Sequence, residues 1–204
     1  MTADIPIGTN WNQNVLSTIG NSIVSSTVLV VNQATQTKGT GWVVSRGHVM
    51  TNEHVIRGAK PAQIIIHLSD GKRGSSSEIE HDSNMDIAVV KMPDDIGAPL
   101  PIDISGLSIG TQICTWGHPL GYNGPAPILT VGYLAGFNQF EQRGVVFTAS
   151  DNKGNQKNFV GSQIVAEILS YFRDMTQVVI GEAIPALDLV GFLNTHKIPW
   201  ASAH

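Results

Sequence analysis

Two side chains of this chain stand where proton transfer would be served. His54 lies in Thr51-Asn52-Glu53-His54-Val55-Ile56, just past an apolar, strand-like run and at the start of a short helical turn. Apolar neighbours on both sides predict a partly desolvated ring. An imidazole that titrates near neutrality in such a place suits a general base. Asp86 follows 32 residues later and opens the apolar run Asp86-Ile87-Ala88-Val89-Val90. A carboxylate hydrogen-bonded to one ring nitrogen fixes the tautomer and leaves the other nitrogen as the base. Taken singly, each residue has a plainer reading. A histidine beside a strand is commonly a satisfied structural residue, and an aspartate before a strand is commonly a turn former. Their order and their matching strand-edge frames make them a candidate pair.

Such a pair needs a third group, a nucleophilic hydroxyl with backbone N–H groups beside it to stabilise an oxyanion. The run Gly39-Thr40-Gly41-Trp42, followed by Met50-Thr51-Asn52-Glu53-His54-Val55-Ile56, resembles the G-[ST]-G-[FW] … T-N-x-H-V signature of trypsin-like serine proteases of the HtrA (Deg) kind. Gly117-His118-Pro119-Leu120-Gly121, Thr130-Val131-Gly132 and Gly181-Glu182-Ala183-Ile184-Pro185 are similar to later motifs of that family. The resemblance covers roughly residues 20–137 and 178–200. It implies a double β-barrel and peptide-bond hydrolysis, with His54 as general base, Asp86 orienting it, protein or peptide substrates, and neither cofactor nor metal.

The family's G-N-S-G-G-P loop belongs between Phe137 and Val178, and no serine there is followed by Gly-Gly. Gly154-Asn155-Gln156 can be laid on G-N-S, which puts Gln156 in the nucleophile's place. Against this, residues 151–155 read as a hairpin tip and the chain from Gln163 has helical spacing. Ser162 reads as the N-cap of that helix. Both are set aside, no nucleophile is assigned, and a strand–loop–strand segment is expected to be missing near residues 138–146. Two functions follow. One is an endopeptidase by descent that lacks triad chemistry. The other is a pseudoprotease that binds peptide or protein. A metal hydrolase is disfavoured, because no H-E-x-x-H or H-x-x-E-H spacing surrounds Glu53-His54.

The elements that would position this pair are short strands. Hydrophobic residues make up 42% of the 204-residue chain and charged residues 14%, with 21 Gly and 10 Pro, a balance that favours turn-linked strands over helical bundles. Strands are expected at 21–32, on both sides of an Arg46-Gly47 turn, at 62–68, 75–81, 84–92, 110–116, 128–137 and 178–185. Asp70-Gly71 is a hairpin signal. Residues 145–149 and 157–160 flank a further hairpin, and a short helix is expected over 11–19. Ile164, Val165, Ile168, Leu169 and Phe172 predict an amphipathic helix, and Leu189, Phe192 and Leu193 share one face of a closing helix over 187–194.

The expected fold is therefore all-β with short helices: a trypsin-like double β-barrel with an incomplete second barrel, an amphipathic helix and a C-terminal helix. It forms a single domain over 1–204, with lobe one at about 20–95 and lobe two at about 106–204. The incomplete barrel should leave residues 128–137 or 178–184 as an unpaired edge and allow homo-oligomers through lobe two.

The net charge of −4 gives no footprint for nucleic acid. The lone Cys114 lies in an alternating run, excludes an internal disulfide and reads as a small buried hydrophobe. His118 reads as a turn residue and His81 as a hairpin residue. No apolar run is long enough to span a membrane. The first residues lack signal-peptide features, so the sequence as written reads as cytoplasmic, or as extracytoplasmic if a leader has been removed.

Overall fold

The computed structural model of the chain describes residues 20, 22–93, 96–104, 108–110, 112–118, 124, 126–138, 143–148, 164–173 and 176–203. The helix expected over 11–19, the second arm of the hairpin at 157–160, Gln156 and Ser162 lie outside the described residues.

Residues 22–26 form a helical turn, where a strand was expected to begin. The cause is local. The Ser25 and Ser26 hydroxyls donate to Ser22 O at 2.8 and 2.9 Å, and the Thr27 hydroxyl donates to Ile23 O at 2.7 Å. Hydroxyls that bond back three or four residues compete with strand pairing. The chain then enters β1 (Thr27–Asn32), β2 (Thr37–Ser45) and β3 (His48–Thr51), followed by α1 (Glu53–Ile56), β4 (Ile64–Leu68), β5 (Arg73–Ser75), β6 (Glu78–Asp82) and β7 (Ile87–Lys91). These seven strands form one antiparallel sheet in the order β5-β4-β1-β2-β3-β7-β6. The Arg46-Gly47 turn joins β2 to β3, and Gly47 takes the left-handed conformation (φ 75°) that a residue without Cβ adopts readily.

The expected return strand at 75–81 is two elements. Only β5, three residues long, pairs back on β4, while β6 crosses to pair with β7. Between them, Ser76 N donates to Ile64 O and Ser77 N to Lys91 O, both at 2.9 Å. Successive residues thus bond to strands near opposite ends of the sheet, and the sheet curls into a half-barrel.

Alternation along the strands sorts the apolar residues onto two faces. On β7, Ala88 and Val90 point into the curl with Val28, Val30, Val43, Val49, Ile64 and Ile66. Ile87 and Val89 face outward with Trp42, Val44 and Met50. The outer layer is closed by α2 (Ala186–Thr195), whose Ala186, Leu189, Phe192 and Leu193 are buried. The expected shared face of Leu189, Phe192 and Leu193 is observed, and Trp116 and Ile102 complete the same core. Burying each such large apolar side chain contributes roughly 1.5–3 kcal/mol before conformational entropy is counted.

The second sheet holds β8 (Gln112–Gly117), β9 (Ile128–Asn138), β10 (Arg143–Thr148), β11 (Ile164–Arg173) and β12 (Thr176–Pro185), in the order β11-β12-β10-β9-β8. Three expectations are corrected here. Residues 164–173 are a strand, not an amphipathic helix, and pair antiparallel with β12 from Ile164↔Pro185 to Arg173↔Thr176. Ile, Val, Tyr and Phe in this run suit a strand. A short apolar run can satisfy helical spacing and strand pairing alike, and a waiting partner strand decides between them. The edge prediction also fails, because β9 pairs with both β8 and β10, and β12 with both β10 and β11. Finally, β9 and β10 are direct antiparallel neighbours in the register Arg143↔Asn138. That pairing leaves no place for a lost strand–loop–strand segment between Phe137 and Val145.

Candidate active site

The spacing of His54 and Asp86 follows from strand register. β3 ends at Thr51, which pairs with Ala88 of β7. The residues just after β3 therefore lie beside those just before β7. Asn52 is extended (φ −80°, ψ 146°) and α1 begins at Glu53. The sequence-predicted pair meets there. His54 Nδ1–H donates to Asp86 Oδ2 at 2.8 Å, and the His54 backbone N–H donates to Asp86 Oδ1 at 2.8 Å. The His54 side chain is 28% exposed and that of Asp86 11%. The ring is thus held on its Nδ1 side while part of it stays open, as a base requires.

The α1 turn is pinned from two directions. Below it, Val55 packs on β2 at Gly39, where a Cβ would come within 2.5 Å of Val55 Cγ2. A Cβ at Gly41 would lie 2.8 Å from Met50 O. The small residues of Gly39-Thr40-Gly41 therefore let the histidine-bearing turn and the next strand approach β2. At its far end, the fully buried Asn32 donates from Nδ2 to Val55 O at 3.1 Å and Arg57 O at 3.0 Å, and its Oδ1 accepts from Ala34 N at 2.9 Å. Glu53, buried next to His54, is paired with the Arg57 guanidinium at 2.5 Å.

Asp86 sits in the left-handed region (φ 55°). Non-glycine residues occupy it seldom, Asp and Asn more readily than most. Its backbone carbonyl accepts from Glu53 N and from Asn52 Nδ2, each at 3.3 Å, and the same Asn52 Nδ2 reaches Asp86 Oδ2 at 3.1 Å. Burial pushes the Asp86 carboxyl up. Hydrogen bonds from the His54 ring and backbone, the attraction of His54 and the Asn52 amide outweigh that, and the group is held below the ordinary aspartate range.

Four contributors escape a reading of sequence alone: Asn32, Thr40, Asn52 and His118. Thr40 on β2 accepts from His118 N at 2.7 Å, and its hydroxyl lies 3.2 Å from His118 Nδ1. Its carbonyl accepts from the Thr51 hydroxyl at 2.8 Å. His118, read as a turn residue, is buried and joins the end of β8 to the first sheet. Asn52 and Thr40 stand inside the quoted motif, so their positions were visible but not their roles. His81 lies in β6 and is exposed.

This arrangement, a half-barrel carrying a histidine and an aspartate at the ends of adjacent strands with a second antiparallel sheet after it, defines the class of trypsin-like peptidases. Residues 39–168 match the trypsin-like peptidase domain family, so the chain belongs to that family, and its relatives place it among the HtrA-like members. The serine endoprotease DegS of Escherichia coli is 32% identical over 163 residues, covering 74% of this chain and 45% of DegS. A probable periplasmic serine endoprotease, DegP-like, of Halomonas elongata is 30% identical over 109 residues, 52% of this chain and 22% of the relative. The chain thus spans less than half the length of these curated relatives. A crystal structure of the serine endoprotease from Yersinia pestis shares the fold, with a TM-score of 0.71 at 24% identity over 94% of this chain and 68% of that one.

Proposed function

We propose that this chain is a serine-peptidase descendant that keeps the base and its orienting carboxylate but not the serine, and that it engages protein or peptide segments without hydrolysing them. One observation carries the reading: the His54–Asp86 pair is intact, while the resembled G-N-S-G-G-P loop has no counterpart with Ser-Gly-Gly. β10 and β11 bracket the stretch that contains Gly154-Asn155-Gln156-Lys157. The strand pairing of residues 164–173 removes the helical objection to laying Gly154-Asn155-Gln156 on G-N-S. The order along the chain then supports Gln156 in the nucleophile's place. An amide cannot form an acyl-enzyme as a serine hydroxyl does.

Relatives named as endoproteases support a protein or peptide as the bound partner, and one named as periplasmic supports an extracytoplasmic compartment. Among the described residues no helix is long and apolar enough to cross a membrane. The test is a fluorophosphonate probe together with hydrolysis of unfolded casein. Wild type and His54→Ala are expected to be equally unlabelled and equally inactive. Stoichiometric labelling of a serine such as Ser150 or Ser162, lost on His54→Ala, would establish an active enzyme instead.

A further inference from the structure

We infer that Asn52 is a positioning residue for the His54–Asp86 pair: its side-chain amide clamps Asp86 so that the carboxylate keeps its face toward the imidazole. The inference rests on the pairing of His54 with Asp86 and is independent of whether the chain turns over substrate.

The geometry assigns this role through both hydrogens of one –NH₂ group. Nδ2 of Asn52 lies 3.1 Å from Asp86 Oδ2 and 3.3 Å from the Asp86 backbone carbonyl. One donor group thus holds the side chain and the main chain of the same residue. This restrains the torsions that aim the carboxylate. It does so at a residue whose backbone is in the left-handed region (φ 55°), where local sterics do not favour it.

Oδ2 is also the atom that accepts from His54 Nδ1 at 2.8 Å. The amide is neutral, so it orients that oxygen without competing for the imidazolium's charge. The assignment of nitrogen and oxygen in the amide is fixed by its surroundings. A flipped amide would set Oδ1 against both Asp86 oxygens, acceptor against acceptor. In the orientation seen, Oδ1 has no hydrogen-bond partner among the described residues, although Asn52 is only 1% exposed. A buried acceptor left unsatisfied opposes folding. Its retention is accounted for by what the other end of the amide does for Asp86. Glu53, the charged residue that precedes His54, is engaged by Arg57 on the far side of the turn.

The test is ¹H–¹⁵N NMR of the His54 ring in the folded protein, with wild type, Asn52→Asp and Asn52→Ser compared. Wild type should show one neutral tautomer, protonated at Nδ1, and a downfield Nδ1–H signal. Asn52→Asp is isosteric but replaces donors by a carboxylate. The added negative charge should raise the proton affinity of His54 about tenfold or more, so the ring should stay an imidazolium, protonated at both nitrogens, to a higher pH than in wild type. Asn52→Ser, too short to reach, should lose the single tautomer without gaining that affinity. If Asn52→Ser keeps the wild-type titration midpoint and Nδ1–H signal and only melts earlier, Asn52 is merely structural and the inference fails. If wild type itself shows no Nδ1–H signal, the His54–Asp86 pairing is what fails. Should Asn52→Asp not fold, the tautomer readout of Asn52→Ser decides.

Discussion

Gly39→Ala tests how the histidine-bearing turn is seated. The new Cβ would lie 2.5 and 2.8 Å from the two Val55 γ-carbons and 3.3 Å from its Cβ. Distances under 3.0 Å demand movement. Val55 is β-branched, buried and rotamerically stiff, so the α1 backbone must give. Overpacking of this kind costs about 1–3 kcal/mol. Alanine also removes about 0.4–1 kcal/mol of unfolded-state freedom relative to glycine. The net expectation is a destabilisation of roughly 1–2 kcal/mol. Val55→Ala alone should cost roughly 2 kcal/mol through lost burial and a cavity. In the double variant the new methyl falls into the space the valine leaves. The pair should then couple favourably by about 1–2 kcal/mol. Urea unfolding followed by the fluorescence of the buried Trp42 and Trp116 reads all four proteins. Additivity within about 0.5 kcal/mol would show that Gly39 and Val55 do not press on each other, and that the glycine is not what seats α1.

Acid stability should carry the signature of Asp86. Its folded-state affinity for protons is depressed, so its contribution is complete above the unfolded aspartate value and is lost as pH falls through the lower folded value. The stability difference between wild type and Asp86→Asn should therefore shrink as pH is lowered from about 5 toward 2. A difference that is flat across that range in chemical denaturation would contradict the assigned hydrogen bonding. Thr40→Val keeps shape but removes the hydroxyl that serves His118 N and Nδ1. It should cost about 1–3 kcal/mol, because buried polar groups lose partners, and should speed amide exchange at His118. Unchanged exchange there would mean that the threonine does not tie β8 to the first sheet.

What the sequence determined by itself was the pair and its frame. His54 and Asp86 were legible because each stands at the margin of an apolar, alternating run, and strand alternation is a local property. The closing helix was legible for an equally local reason: Leu189, Phe192 and Leu193 recur at helical spacing. Tertiary structure decided what depends on partners. Residues 164–173 fit two periodicities, and only the ladder with β12 selects the strand. Residues 75–81 read as one strand until the curl of the sheet sent β5 and β6 to opposite edges. The roles of Asn32, Asn52, Thr40 and His118 arise where side-chain hydrogen bonds join residues far apart in sequence, such as Thr40 and His118. Which distant carbonyl or carboxylate a buried amide or hydroxyl meets is fixed only when the sheets have packed.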